Sequence, residues 1–144
     1  MDLVTHALLS GAAAAAITRA AALRTAAATG ALAGLLPDAD TLIASGSDPL
    51  LNLEFHRHFT HSLAFLPIGA AVAAGLAWLA LRRGTAFAAL YAYACAGYLA
   101  AVLLDACTSY GTHLLWPLPV KPVALSVISV IDPLVTMLVG VPLA

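Results

Sequence analysis

The chain has 144 residues, 62% of them hydrophobic and 9% charged, with a mean hydropathy of +0.98. Soluble domains run about 45–50% apolar and about 25% charged, so this composition points away from them and towards an integral membrane helical bundle, and it disfavours a repeat solenoid, a disulfide scaffold and a disordered linker. Six basic against seven acidic residues give a net charge of −1, which leaves no basic field for nucleic acid and no acidic tail.

The length allows one domain, residues 1–144. Its start, MDLVTHALLSG, carries Asp2 and His6 in place of the basic residues of a signal peptide and reads as part of the mature protein. Residues 3–17 form a first apolar run and residues 20–36 a second, broken by Arg24 and closed by Pro37. The polar segment PDADTLIASGSDPLLNLEFHRHFTHS follows, over residues 37–62. Two longer apolar runs come next, residues 63–81, ending at Arg82-Arg83-Gly84, and residues 85–104, meeting Asp105. Runs of about 20 residues match a hydrocarbon core of about 30 Å at about 1.5 Å per helical residue, so these two read as spanning helices. The first two are shorter, suited to membrane helices with polar ends or to a hairpin that only partly crosses. DACTSYGTHLLWPLPVKP, residues 105–122, is a loop by its Gly and Pro content. The last run, from Val123, is β-branched, and Asp132-Pro133 is an N-cap followed by a first-position proline. A helix restarting there is too short to span alone. Cys95 and Cys107 lie in apolar surroundings that suit free thiols. The expectation is an all-α, polytopic transmembrane bundle of about four to five helices.

Alternating the segments sorts Arg19, Arg24, Arg82 and Arg83 to one end, and His6, residues 37–62 and residues 105–122 to the other. The positive-inside rule makes the arginine end cytoplasmic, although Arg57 and Lys121 fall on the opposite side. In either orientation, separated polar elements converge at one end of the bundle.

Asp38 and Asp40 place two carboxylates at a membrane boundary, where they suit either a hard or borderline cation or a solvated helix end. His56, His58 and His61 put three of the five histidines within six residues, and imidazole is the commonest protein ligand for zinc-like metals. If the stretch is helical, His58 and His61 share a face; if Thr60 caps the helix, His56 folds back from the loop; interfacial histidines are the plainer reading. Asp105 ends a long apolar run, where a carboxylate is costly unless paired, solvated or metal-bound. Arg57 suits an anionic group or a lipid headgroup, and His113 reads as interfacial beside Trp116.

The ordered set THALLSG, PDAD, HRHFTHS, LLDACTSYGTHLLWP and VISVIDP resembles the YdjM-like membrane-bound metal-dependent hydrolases, also described as LexA-binding, inner-membrane-associated hydrolases. The resemblance covers essentially the whole chain. It implies a bacterial inner-membrane, multi-pass protein with a metal site distantly similar to that of zinc-dependent phospholipase C. Its implied metal ligands are His6, Asp38, His56, His61 and Asp105, with Asp40 and Arg57 in catalytic support; in a hydrolysis there, Asp38, Asp40 or Asp105 would accept a proton or complete the coordination, and Arg57 would steady anionic charge. The implied cofactor is a divalent ion, zinc first, with manganese or magnesium as alternatives. The implied partners are membrane lipid and a small-molecule or lipid substrate. One departure stands out. Where the family has a histidine four residues before the aspartate, this chain has Ala101, and a water or His58 would have to replace that ligand.

Two functions follow. One is hydrolysis of an ester or phosphoester at the metal site. The other is a catalytically impaired, metal-binding membrane protein acting as a structural or regulatory partner, which Ala101 favours. An ion path is the weakest reading, because the polar residues gather at one end and no polar stripe runs through residues 63–104.

Overall fold

The computed structural model describes residues 2–43, 56–81 and 84–140. Arg82, Arg83 and the middle of the polar segment, residues 44–55, lie outside the described residues. Among the described residues there are five α-helices and no strand: α1 (Leu3–Ala16), α2 (Leu23–Leu35), α3 (Leu66–Ala80), α4 (Phe87–Ala106) and α5 (Pro133–Gly140).

Local chemistry sets the helix ends. Asp2 caps α1 by accepting from the Thr5 amide at 2.9 Å and from the Thr5 hydroxyl at 2.6 Å. Pro37 has no amide proton to continue the ladder of α2, and the chain tightens into 3-10 turns over Pro37–Leu42. α3 opens with Pro67 in its first turn. Asp132 accepts from the Leu134 amide at 3.1 Å and starts α5, as the Asp132-Pro133 pair predicts.

The boundaries differ from the apolar runs in three places. α2 begins at Leu23, after a 3-10 turn over Ala20–Ala22. α3 begins at Leu66 because residues 63–65 are bound elsewhere, the Leu63 amide donating to Leu114 O at 2.9 Å. α4 runs through Asp105, whose carboxylate finds partners inside the fold and so does not end the helix. Only α4, with 20 residues, is long and apolar enough to cross a membrane among the described residues; α1 and α3 are apolar but shorter.

Small residues bring α1, α2 and α4 together. A β-carbon built on Gly30 would lie 2.4 Å from Ser10 O and from Ala14 Cβ, and one on Gly97 would lie 2.3 Å from Gly30 O. The three backbones therefore meet at one point that admits only hydrogen as a side chain. α3 packs on α4 through Ala70, Ala73, Ala74 and Ala77 against Leu90, Ala94, Tyr98 and Val102. α5 lies against α1. Outside this packing, α3 turns Ile68, Val72, Leu76 and Leu79 outward, at a spacing that forms one apolar stripe.

Gly97→Val tests the three-helix junction. The substitution is expected to cost at least about 1–3 kcal/mol by overpacking and to lower the detergent-solubilised protein's melting temperature. An unchanged melting curve would mean that α2 and α4 do not approach this closely.

After α4 the chain runs as an irregular layer over the same end of the bundle. Thr112 and Val123 exchange backbone hydrogen bonds at 3.0 and 2.8 Å, and the Leu125 and Val127 amides donate to Ala106 O and Cys107 O at 2.9 Å each. The β-branched run thus lies extended against the end of α4. Cys95 and Cys107 are free thiols.

Candidate metal centre

α1 leaves the polar end of the bundle and α2 returns to it; α3 leaves and α4 returns. His6 on the first turns of α1, Asp38 and Asp40 after α2, His61 before α3 and Asp105 at the end of α4 therefore reach the same end from four elements. Asp105 sits at the centre and is fully buried. Its Oδ2 lies 3.3 Å from His6 Nε2 and 3.1 Å from His61 Nε2. Asp38 is 11% exposed and sits at the outer side, with Oδ2 2.8 Å from His6 Nδ1 and Oδ1 3.5 Å from His61 Nε2.

Donor atoms of His6, Asp38 and Asp105 all fall within 4.8 Å of one another, so this buried group could hold a metal ion. Ligand bonds of about 2.0–2.2 Å put neighbouring donors of a tetrahedron about 3.3–3.6 Å apart, and the separations around Asp105 Oδ2 have that scale. His6 Nε2 and His61 Nε2 are buried and make no hydrogen bond among the described residues. Two buried imidazole nitrogens converging on one carboxylate oxygen, paired with it by charge rather than by an aligned hydrogen bond, is an arrangement that a shared cation would complete. The charge balance agrees. Among the described residues Asp38, Asp40 and Asp105 face one guanidinium, and the rest of their negative charge is met by imidazolium protons, by the charge of the chain's amino terminus acting on Asp105, or by a cation.

The flanking groups orient these imidazoles. Asp40 is buried, with Oδ1 3.0 Å from His56 Nδ1, while Oδ2 accepts from the Arg57 amide at 2.8 Å and from the Thr60 hydroxyl at 3.0 Å. The same Oδ2 lies 3.3 Å from His61 Nδ1. Asp40 thereby fixes which nitrogen of His61 faces Asp105, as carboxylates behind metal-binding histidines commonly do. Burial alone would discourage charge on His61, but its bonds to Asp105, Asp38 and Asp40 outweigh this and raise its pKa to about 10. Burial likewise opposes the Asp38 carboxylate, and His6 and His61 overcome it, lowering the pKa to about 2. The Asp40 pKa is lowered too, against its burial, by His56, His61 and the Arg57 amide.

Arg57 is 3% exposed and turned inward. Its Nη2 pairs with Asp105 Oδ1 at 2.9 Å, its Nη1 donates to Thr108 Oγ1 at 2.8 Å, and its Cζ lies 5.0 Å from the Tyr110 ring centre. Its backbone φ of 59° is left-handed, at a cost of about 1–2 kcal/mol. Asp40 holds the amide side of that conformation, and the His113 amide donates to its carbonyl at 3.2 Å.

The structure thus gathers His6, Asp38, His61 and Asp105 around one point and places Asp40 and Arg57 directly behind them. His56 bonds to Asp40 and stands one step outside the group. His58 faces away, with ring centres 4.8 Å from His113 and 6.2 Å from Trp116. Sequence reasoning missed three contributors. Thr108 donates to Asp105 O at 2.8 Å and receives Arg57. Thr60 joins Asp40 to His61, its hydroxyl lying 3.1 Å from His61 Nδ1. Tyr98 donates to Thr60 O at 2.6 Å. Of these, Thr60 enters the sequence reading only as a helix cap, and Tyr98 lies two helical turns before Asp105 on the same face, the spacing that could have found it.

Asp40→Asn keeps the shape and removes the charge behind His61. Affinity for a divalent ion is expected to fall about 10–100-fold, read by chelator competition, with the helical circular dichroism unchanged. An unaltered affinity would show that Asp40 does not act through His61.

A family model described as YdjM inner membrane protein matches residues 1–143. No curated protein and no solved structure matches the chain.

Proposed function

Because the chain belongs to the YdjM inner membrane protein family, and because its His and Asp side chains meet at one buried point, we propose that it is a multi-pass membrane protein that hydrolyses an ester or phosphoester with a divalent metal. The observation that carries this reading is the convergence of two buried imidazole nitrogens, His6 Nε2 and His61 Nε2, on Asp105 Oδ2 at 3.3 and 3.1 Å, with Asp38 beside them. His6, Asp38, His61 and Asp105 would hold the ion, with zinc suited to the imidazoles and manganese or magnesium to the carboxylates. Such an ion, when bound, supplies Lewis acidity and lowers the pKa of water.

The chain's own groups supply the rest. Asp38, 11% exposed while Asp40 and Asp105 are buried, would be the carboxylate to take a proton from an incoming water. Asp40 and Arg57 act as positioning residues, Asp40 through His61 and Arg57 through Asp105. The multi-pass reading is supported by the outward apolar stripe of α3 and by exposed Leu3, Val4 and Ile17 on and just after α1. Placing Arg19 and Arg24 on the cytoplasmic side puts the metal centre at the opposite face.

The test is purification in detergent, metal analysis, and assay of phosphodiesters and carboxylic esters with His61→Ala as control. Turnover is expected to vanish with chelator, to return with one added divalent ion, and to be absent in His61→Ala. Turnover indifferent to both treatments would end the hydrolase reading.

A second reading, a catalytically impaired metal-binding partner protein, is favoured by Ala101, which is fully buried one turn before Asp105. Ala101→His separates the two: tighter metal binding with no turnover in either form supports the impaired protein.

A further inference from the structure

Beside the metal centre a groove of about 260 Å³ runs between the Pro37–Leu42 turns, the Phe59–His61 turn and the outer face of α3. We propose that this groove receives a hydrocarbon chain of a membrane-borne substrate, which makes a lipid ester or phosphoester the substrate class of the site; this rests on the hydrolytic reading above.

The lining argues for a chain. Leu36, Ile43, Phe59, Phe65 and Val72 make its walls. Buried Asp40, Thr60 and Tyr98 close the inner side, and half-exposed Val72 stands at the mouth. The polar members are already bonded, Asp40 to four donors and Tyr98 to Thr60 O, so they make no demand on an occupant. The inner wall is also built for its position. A β-carbon on Gly69 would lie 2.2 Å from Tyr98 Cε2, so glycine is what lets the Tyr98 ring stand there.

Size and continuity select the occupant. Pockets for whole small molecules measure about 300–1,000 Å³, and this smaller, apolar one suits a stretch of chain without its headgroup. Asp40 and Thr60, which close the inner side, also touch His61, so only that wall separates an occupant from the metal centre. At its outer end Val72 continues into the exposed stripe of Ile68, Leu76 and Leu79. A hydrocarbon can pass along that stripe from lipid into the groove without crossing water.

The experiment uses the full chain in phosphatidylcholine vesicles containing a phosphatidylglycerol with a diazirine along one acyl chain. After irradiation, adducts are expected on Phe59, Phe65 and Val72 in excess over Leu76 and Leu79, and Val72→Trp is expected to deplete them. Val72→Trp should also lower the ratio of long-chain to short-chain ester turnover by about tenfold, the cost of roughly two unburied methylene groups. Ile17→Trp, at the exposed far end of α1 and outside both groove and stripe, should leave that ratio unchanged.

Even labelling along α3, labelling indifferent to Val72→Trp, or exclusion of the probe by the chain's own residues 44–55 or by a second copy would overturn the groove. So would equal losses on long and short substrates. Groove labelling with no turnover of any ester would uphold chain binding and remove the hydrolytic reading instead.

Discussion

Asp105→Asn is expected to cost the protein both its metal and about 3–5 kcal/mol of stability. Asp105 is the one group on which His6, His61 and Arg57 all converge. Asparagine keeps the volume and can still accept one hydrogen bond, but it carries no charge. Arg57, 3% exposed, is then left as a buried cation without its partner, and breaking a buried pair from one side costs about that much. The loss of a central carboxylate should weaken divalent-metal binding beyond the about 10–100-fold typical of a merely orienting neighbour. Melting in detergent reads the first effect and metal per chain reads the second. A variant that melts and binds as the parent would mean that Arg57 and the imidazoles have other partners.

The companion substitution Arg57→Met separates the two effects. It removes the buried cation and leaves Asp105 facing the imidazoles. Stability should fall less than in Asp105→Asn when metal is present, because the ion then supplies the counter-charge. An equal fall with and without metal would show that no ion compensates Asp105.

Metal affinity should also rise steeply with pH, through His61. In the metal-free protein its pKa is raised from the ordinary 6.5 to about 10, so at neutral pH the ring carries two protons and Nε2 is blocked. An incoming ion has to displace one of them. Affinity therefore gains about tenfold per pH unit for each proton released, until pH approaches about 10. Metal-free stability moves the other way. The raised pKa contributes stability in full below about 6.5 and loses it as the pH climbs through about 10. Asp38 gives the acid limb: its pKa is lowered to about 2, so its contribution is present above about 3.8 and is lost as the pH falls through about 2. Titration with a competing chelator at several pH values, with proton release followed in weak buffer, checks the first statement. Binding without proton release would place the ion away from His61. In His61→Ala the pH dependence should flatten, with only His6 left to contribute, and affinity should fall by about a hundredfold.

Much of this arrangement was legible in the chain itself. Composition and run length gave the helices, because apolar periodicity and capping are local properties: Asp132-Pro133 started α5 and Pro37 ended α2 as read. The alternation of polar ends also placed His6, Asp38, His61 and Asp105 at one pole, since helices joined by short turns must alternate in direction. What the runs overstated was spanning length. Residues 63–65 look as apolar as the helix that follows, yet their backbone is engaged by the loop at Leu114, and α3 is left shorter than a bilayer.

The roles within the pole were decided only by tertiary structure. His56, His58 and His61 are equivalent as letters; one faces Asp105, one faces Asp40 and one faces His113. The choice rests on the left-handed turn at Arg57, which is held by Asp40 from one segment and by the His113 amide, donating to the Arg57 carbonyl, from another. Sequence sets which groups are available and to which end of the bundle they go. Which of them share a charge depends on distances of about 3 Å between segments far apart in the chain, and those distances are fixed by the close meeting of α1, α2 and α4 at Gly30 and Gly97.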